Sequence, residues 1–293
     1  MSALTDLGVT PATVGFVGDW HANTAYARKV IHRHAGRVDA WVHVGDFGYD
    51  FRQSFLDGLD DALEDAGGAP FFFVRGNHDN PDFLHMQPRD TYGAAPIGEH
   101  ITWLPDGLRW SWSGLSFVAA GGAHSIDRAY RQPGVSWWAG ETMSPATMLG
   151  IMGDGRVDVM VCHDTPAPIW VPMDARRGFP VEDDEASWTY RQHLETIAHT
   201  IAPRFVIHGH HHRRERQVLD ATHFGRRCVV EGLGADRGEV ADNVLVVDLV
   251  SWLDEGDEDY VRSLACHHRW GRASDDYDGP AVVSCGRCGA AAD

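Results

Sequence analysis

Five short polar clusters hold most of the chemistry-bearing residues of this chain, and each directly follows an apolar run. They are Asp19-Trp20-His21 after residues 14–17, Gly45-Asp46 after 40–44, and Arg75-Gly76-Asn77-His78-Asp79 after 70–74. His163-Asp164 follows 157–162, and Gly209-His210-His211-His212 follows 204–207. Carboxylate, amide oxygen and imidazole together form a mixed oxygen and nitrogen donor set. Such a set suits Mn, Fe, Zn, Co or Ni better than Ca or Mg. Asp19 and His21 are two residues apart, as are His210 and His212, a spacing that on an extended segment turns both side chains to one side. His78 reads differently: it is a candidate proton donor, with Asp79 next to it as the group that orients the ring or raises its pKa. One Asp-x-His pair alone reads most simply as a turn. The repetition at five strand ends is what gives the pattern its weight.

The elements that must position these residues are readable from periodicity. The runs at 14–17, 40–44 and 70–74 predict buried strands. Between them, Asn23 caps a helix with Tyr26, Val30 and Ile31 on one face, and an acidic helix carries Phe55, Leu59 and Leu63 at helical spacing. A strand–helix–strand–helix–strand order predicts a parallel sheet with right-handed crossovers. In such sheets ligands gather beyond the carboxyl ends of the strands, where the first three clusters fall. Residues 101–120 alternate as short strands, and residues 121–140 form a Gly- and Arg-containing loop. Ser144-Pro145 opens a helix, with Ser as the cap and Pro in the first turn. A strand at 157–162 precedes a long proline-rich, acidic surface loop over 165–185, a length associated with lids. A helix over 186–201 and strands at 204–207, 218–219, 228–230 and 244–249 complete the pattern. Two regions are expected: a domain over residues 1–253, and an acidic linker with a tail over 254–293.

The totals narrow the function classes. The chain has 293 residues, 43% hydrophobic and 23% charged, enough to bury a sizeable core. A formal net charge of −17 argues against a broad nucleic-acid-coating surface or an anionic membrane partner. No apolar run reaches a membrane span, and the N-terminus lacks a basic-then-apolar signal, so a cytoplasmic protein is expected. Five cysteines suggest a reducing compartment, with Cys162 and Cys228 as buried thiols.

The ordered set Asp19-x-His21, Gly45-Asp46, Gly76-Asn77-His78-Asp79, His163 and Gly209-His210-x-His212 resembles the calcineurin-like metallophosphoesterase superfamily over residues 14–249. The stretch from Ser125-Ile126-Asp127-Arg128 to Ser136-Trp137-Trp138 is similar to phage and actinobacterial members. The resemblance implies an α/β fold, a four-layer αββα sandwich of two mixed β-sheets flanked by helices. It implies one ion held by Asp19, His21, Asp46 and His212, and a second held by Asp46, Asn77, His163 and His210, with Asp46 bridging. The implied activity is metal-dependent phosphoester hydrolysis. Two cations roughly 3.5–4 Å apart neutralise the ester and lower the pKa of a bridging water, whose hydroxide attacks phosphorus. His78 then protonates the leaving oxygen. One departure stands out: where the superfamily often reads Gly-Asp-x-x-Asp, the next acid here is Asp50, one residue late.

Further residues carry paired readings. Asn23 fits a phosphate contact, though capping accounts for it. Arg75 fits a phosphate contact as in the protein-phosphatase branch, or an ion pair with a nearby Asp. His124, Asp127, Arg128, Arg131, Trp137 and Trp138 fit a phosphate- and base-binding insertion, or a packing loop over the sheet edge. His211 fits a supporting or phosphate contact, or a solvated side chain. Arg213, Arg214 and Arg216 fit a phosphate contact or a solvated strand edge. In the tail, Cys266-His267-His268 with Cys285-x-x-Cys288 resembles a small zinc ribbon, with Cys266, His268, Cys285 and Cys288 the candidate ligands of a structural zinc. The expected substrates are small or nucleotide-like phosphoesters. Phosphoprotein phosphatase and nuclease are the alternatives, and a scaffold without turnover is disfavoured because every ligand position and His78 is filled.

Overall fold

The computed structural model describes residues 4–167, 169–171 and 179–254, together with the backbone of residues 270–271 and 284–285. The chain runs β1 (Thr13–Val17), α1 (Thr24–Arg33), β2 (Ala40–His43), α2 (Gln53–Asp65), β3 (Phe71–Phe73), α3 (Pro81–Met86), β4 (Ala95–Pro96) and β5 (Ile101–Trp103). It continues through β6 (Arg109–Trp112), β7 (Leu115–Ala120), α4 (Pro145–Gly153), β8 (Val159–Cys162), α5 (Val181–Ile201), β9 (Phe205–His208) and β10 (Glu215–Leu219). It ends with α6 (Ala221–Phe224), β11 (Cys228–Gly232), α7 (Val240–Asn243), β12 (Val244–Asp248) and α8 (Leu249–Asp254).

Two six-stranded sheets result, ordered β12-β1-β2-β3-β5-β4 and β10-β11-β9-β8-β7-β6. The inner pairings β1–β2, β2–β3 and β3–β5 are parallel, as are β7–β8, β8–β9 and β9–β11. Antiparallel strands close the four edges. Both sheets are therefore mixed, and the strand–helix order over residues 14–74 predicts the parallel centre of the first.

Period-2 alternation explains the layering. Val14, Phe16, Val42, Phe72 and Val74 of the first sheet meet Phe117, Val159, Val161, Phe205 and Ile207 of the second in one inter-sheet core. The intervening residues, such as Val17, Trp41, Phe71 and Phe73, face α1 and α2 instead. Val118, Met160, Cys162 and Val206 likewise face the layer containing α4 and α5. Each central strand is covered on both faces, which is why it reads as a continuous apolar run. Burying one such side chain contributes about 1.5–3 kcal/mol, so the core supplies a rigid base for strained loops at its edge.

The caps form as the sequence indicates. Asn23 Oδ1 accepts from the Tyr26 amide, and the Ser144 side chain accepts from the Thr147 amide ahead of Pro145. α5 begins at Val181, inside the expected 165–185 loop, and residues 168 and 172–178 of that loop lie outside the described residues. Of the tail, Cys266, His267, His268 and Cys288 lie outside the described residues, as does the side chain of Cys285. The described backbone pairs Trp270 with Cys285 in a two-residue ladder. Among the described residues, no helix is long and apolar enough to cross a membrane.

Candidate metal centre

The carboxyl ends of β1, β2, β3, β8 and β9 all open on one edge of the sandwich. Asp19 and His21 follow β1, Asp46 follows β2, Asn77 follows β3, His163 follows β8, and His210 and His212 follow β9. Two donor groups form there. Ligand atoms of Asp19, His21, Asp46 and His212 all lie within 4.8 Å of one another, as do those of Asp46, His163 and His210. Asn77 joins the second group: its Oδ1 is 3.0 Å from His163 Nε2. Asp46 belongs to both. Its Oδ1 lies 3.3 Å from His163 Nε2, and its Oδ2 lies 3.6 Å from His21 Nε2. His212 Nε2 is 3.1 Å from Asp19 Oδ2.

The two-residue spacing suggests extended alternation, but the convergence arises differently. His21 (φ 48°), Asp46 (φ 54°), His210 (φ 65°) and His212 (φ 54°) all have left-handed backbone. That conformation is uncommon for residues with a Cβ, and sparsely populated backbone costs of order 1–3 kcal/mol per residue, persisting where the surroundings over-determine it. Four of the seven sequence-chosen ligands thus sit in turns that re-aim their side chains. Two glycines make the approach possible. A Cβ at Gly76 would strike Asp46 Oδ1, and one at Gly209 would strike Asp19 Oδ1. Neither needs a positive φ, so the requirement is space alone.

Two of the imidazoles, those of His163 and His21, are held from behind. His163 Nδ1 lies 2.9 Å from the Val44 carbonyl, so it donates there and turns the Nε2 lone pair toward the cluster. His21 Nδ1 lies 3.1 Å from Asp236 Oδ1, and Asn23 Nδ2 donates to the other Asp236 oxygen at 2.8 Å. Asn23 therefore both caps α1 and steadies the carboxylate that orients His21. His211 points away from the ligand atoms to the buried Asp164, at 3.0 Å.

Asp19 and Asp46 are almost wholly buried. Burial alone would raise both carboxyl pKa values. The His212 hydrogen bond and the His163 charge instead bring Asp19 down to about 2, and the charges of His163 and His78 hold Asp46 well below its ordinary value. Burial would conversely lower the two imidazoles, but the Asp46 carboxylate lifts His21 to about 9 and His163 to about 10. Buried carboxylates demand countercharge. In a cation-free protein, protonated imidazoles supply it; the same donor atoms, once deprotonated, fit divalent ions.

His78 Nε2 lies 3.9 Å from Asp46 Oδ2, and the His78 amide donates to Asp46 Oδ1 at 2.9 Å. Its ring partner is not Asp79. That carboxylate accepts from the backbone amides of Phe47, Gly48 and Gly76 at 3.1, 2.8 and 2.8 Å, so it pins the β2 and β3 loops together. The ring is instead touched by Arg131, whose Nη2 is 3.0 Å from His78 Nε2. Arg131 is gripped in turn by Asp127, with Nε to Oδ1 at 2.7 Å and Nη2 to Oδ2 at 2.6 Å.

The remaining sequence candidates lie beside the centre. Arg75 is 2% exposed, with Asp106 on Nε at 2.8 Å and the Gly140 and Glu141 carbonyls on Nη1 at 2.8 Å. The ion-pair reading therefore accounts for it, and its guanidinium ties β3 to the insertion loop. His124 lies between Asp183 (3.1 Å) and Glu141 (3.5 Å), Arg128 pairs with Asp183 at 2.9 Å, and Trp137 stacks on Arg128. These contacts pack the 121–140 loop onto α5. The same loop reaches the ligands through Ser125, whose Oγ accepts from Asn77 Nδ2 at 2.9 Å and donates to Glu141. Arg214 and Arg216 pair with the buried Glu231. Asp50 is exposed and paired with Arg52 at 3.0 Å.

Sequence reasoning missed Asp236, and it did not join Arg131 to His78 or Ser125 to Asn77. Asp236 had a usable signal, because it follows the apolar strand β11 by a few residues, like the other clusters. A cleft of about 460 Å³ flanks the centre, lined among others by Ala22, Tyr49, Arg52, Ser54 and Val135. The Tyr49 ring lies 6.0 Å from that of His21 and 5.7 Å from that of His78.

The family model described as calcineurin-like phosphoesterase matches residues 12–214, which span all five ligand-bearing strand ends. The chain belongs to that family. It is a metal-dependent phosphoric ester hydrolase. No match is found among curated proteins. Among solved structures, the chain is similar to a hypothetical protein from Thermus thermophilus, with a TM-score of 0.40 and 13% identity over 78% of this chain and 81% of that one. It is also similar to an uncharacterized protein from Streptococcus pneumoniae described as a predicted phosphoesterase (TM-score 0.33, 13% identity, 78% and 75% covered). A third is the phosphopantetheinyl hydrolase of Mycobacterium tuberculosis, with a TM-score of 0.39 and 13% identity over 77% and 91% of the two chains.

Proposed function

We propose that this phosphoesterase works with two divalent ions, from the group Mn, Fe, Zn, Co and Ni, on small or nucleotide-like phosphoesters. Asp19, His21, Asp46 and His212 would hold one ion; Asp46, Asn77, His163 and His210 would hold the other. The observation that carries this reading is the double membership of Asp46, whose two oxygens face separate donor groups. When bound, such ions neutralise a phosphoester and activate water toward phosphorus.

The chain's own residues supply the rest. Val44 and Asp236 hold His163 and His21 with their lone pairs inward. Asp79 fixes the two loops that carry Asp46 and His78. His78, beside Asp46 but outside the two donor groups, is placed to hand a proton to the departing oxygen. The phosphoprotein-phosphatase alternative loses the residue that suggested it, because Arg75 is buried and saturated with partners. The nucleotide-like preference rests on the Tyr49-lined cleft beside His21 and His78.

The test is hydrolysis of bis-p-nitrophenyl phosphate with added Mn by the wild type and by His78→Ala, alongside an aliphatic phosphodiester. Loss of a general acid costs roughly 10²–10⁴-fold, and the larger loss is expected on the aliphatic ester, whose leaving group needs the proton more. Equal rates in both proteins would remove His78 from the mechanism. Metal analysis of active protein with fewer than two ions per chain would remove the paired centre.

A further inference from the structure

Asn77 is the one amide among the proposed ligands, and an amide can face an ion with the wrong atom. Its oxygen offers lone pairs, whereas its NH2 group presents two N–H dipoles and no free pair. A half-turn about the terminal side-chain torsion exchanges the two. Oxygen and NH2 are so alike in size that packing does not choose between them. Hydrogen bonding has to make the choice.

The 121–140 loop makes it through Ser125. Asn77 Nδ2 lies 2.9 Å from Ser125 Oγ, while the two ring nitrogens of His78 stand off at 3.5 and 3.4 Å. A hydroxyl alone is ambiguous, because it can accept from an NH2 or donate to a carbonyl. Glu141 removes the ambiguity. Its Oε1 accepts from the Ser125 amide at 3.1 Å, and its Oε2 takes the Ser125 hydroxyl proton across 2.5 Å. Oγ is then left with lone pairs toward Asn77, and only the NH2 edge of the amide fits there. Asn77 Oδ1 faces the opposite way, 3.0 Å from His163 Nε2. Glu141 is itself fixed: its carbonyl accepts from Arg75 Nη1 at 2.8 Å, and His124 Nδ1 lies 3.5 Å from Oε1. Burial raises the Glu141 pKa, and the two hydrogen bonds from Ser125 oppose that rise by stabilising the charged form. With Ser125 1% and Glu141 2% exposed, bulk water does not compete for these atoms.

Building on the two-ion reading above, we propose that Ser125 and Glu141 are positioning residues for the metal centre. They form a one-way hydrogen-bond chain, Asn77 to Ser125 to Glu141, that keeps the Asn77 oxygen turned toward the ion shared with Asp46, His163 and His210. The chain also strengthens the ligand. The Glu141 charge draws the Ser125 proton, Oγ draws the Asn77 N–H, and electron density shifts onto Oδ1, making it a better donor than an isolated amide.

The test is calorimetric titration of the chelated full-length protein with Mn, which needs no turnover. Asn77→Ala identifies the relevant ion, because it should remove one of two binding phases. Ser125→Ala should weaken that same phase by roughly 10–100-fold, the usual cost of losing a group that orients a ligand, and leave the other phase unchanged. Ser125→Thr keeps the hydroxyl and should recover most of the loss. Glu141→Gln keeps the shape but offers Ser125 an NH2 group in place of one oxygen, so it should weaken the same phase. An Asn77→Asp background adds a double-mutant cycle. Either carboxylate oxygen can face the ion there, so Ser125→Ala should lose most of its effect. A full loss in both backgrounds overturns the chain. So does a Ser125→Ala protein that melts earlier when chelated yet binds Mn as the wild type does, since Ser125 then only packs the loop. If Asn77→Ala itself leaves both phases intact, Asn77 is no ligand, and the two-ion ligand assignment falls together with the chain.

Discussion

The two donor groups share Asp46 but differ in depth. On the inner side, His163 is fully buried and Asn77 is 2% exposed; between them they touch Val44, Ser125 and Asp46, all part of the packed interior. On the outer side, the His212 side chain is 51% exposed, and His21 is held by Asp236 from a loop after β11. The inner group thus takes Asn77 and His163 from the packed interior and only the half-buried His210 from a rim turn, while the outer one takes both His21 and His212 from turns at the rim. On the proposed two-ion reading, an ion at the inner position would lie against His163 and Asn77, whose own partners are buried, and should exchange slowly. One at the outer position should come and go with solvent and substrate.

Removing the shared ligand erases that distinction and is the largest expected effect. Asp46→Asn takes a charge from both groups at once. Activity should fall beyond the roughly 10²–10⁴-fold of a lost general acid, and metal analysis should show both ions depleted. If one ion persists at full occupancy, Asp46 does not bridge.

Breaking the groups separately comes next. His163→Ala should leave less than one ion in the inner position and also lower thermal stability, because it opens a cavity against Asp46 and Val44. His212→Ala should keep the fold and one tightly held ion while losing activity. Dialysis against a chelator followed by metal analysis reads both. Loss of both ions in His212→Ala, with the inner donors intact, would show that the depth difference has no energetic consequence.

A milder change sharpens the comparison. Asp236→Asn keeps its shape but weakens the hold on His21. Changes of this kind cost roughly 10–100-fold in metal affinity, and the effect should fall on the weaker of two binding phases in a Mn titration. A shift in the tighter phase instead would assign Asp236, and the outer group with it, to the wrong ion.

The same depth difference governs what could be read from sequence. The parallel centre of the first sheet follows from apolar runs such as 70–74 alternating with helices, because strands buried on both faces need no polar alternation. The ligand types follow from the strand-end clusters, because Asp, Asn and His have few other reasons to recur there. The backbone that aims them does not follow: left-handed turns at His21, Asp46, His210 and His212 carry no Gly signal and are imposed by tertiary packing. Partners far apart in the chain were also out of reach. Asp236 lies 215 residues from His21 and Arg131 lies 53 from His78, and no local spacing links them. Asp79 shows the converse error, since adjacency to His78 suggested a contact that three backbone amides pre-empt.

The smallest effect expected is a pH dependence that separates empty from loaded protein. In the cation-free chain, the Asp46 carboxylate lifts His163 to about 10 and His21 to about 9, although burial opposes both. A group whose pKa rises on folding adds stability below its unfolded value, near 6.5, and loses it as pH climbs through the folded value. Thermal melts of chelated protein should therefore decline between about pH 6.5 and 10. Asp19, lowered to about 2, works at the other limb: its contribution holds above about pH 4 and fades toward pH 2. Bound cations replace the imidazole protons, so the alkaline decline should flatten in metal-loaded protein, and loading near pH 7 should release protons that a weakly buffered titration detects. Parallel melting curves for the two forms across that window would mean that protons and metal ions do not compete for the same atoms, and the inner and outer groups would then have to be redrawn around some other countercharge.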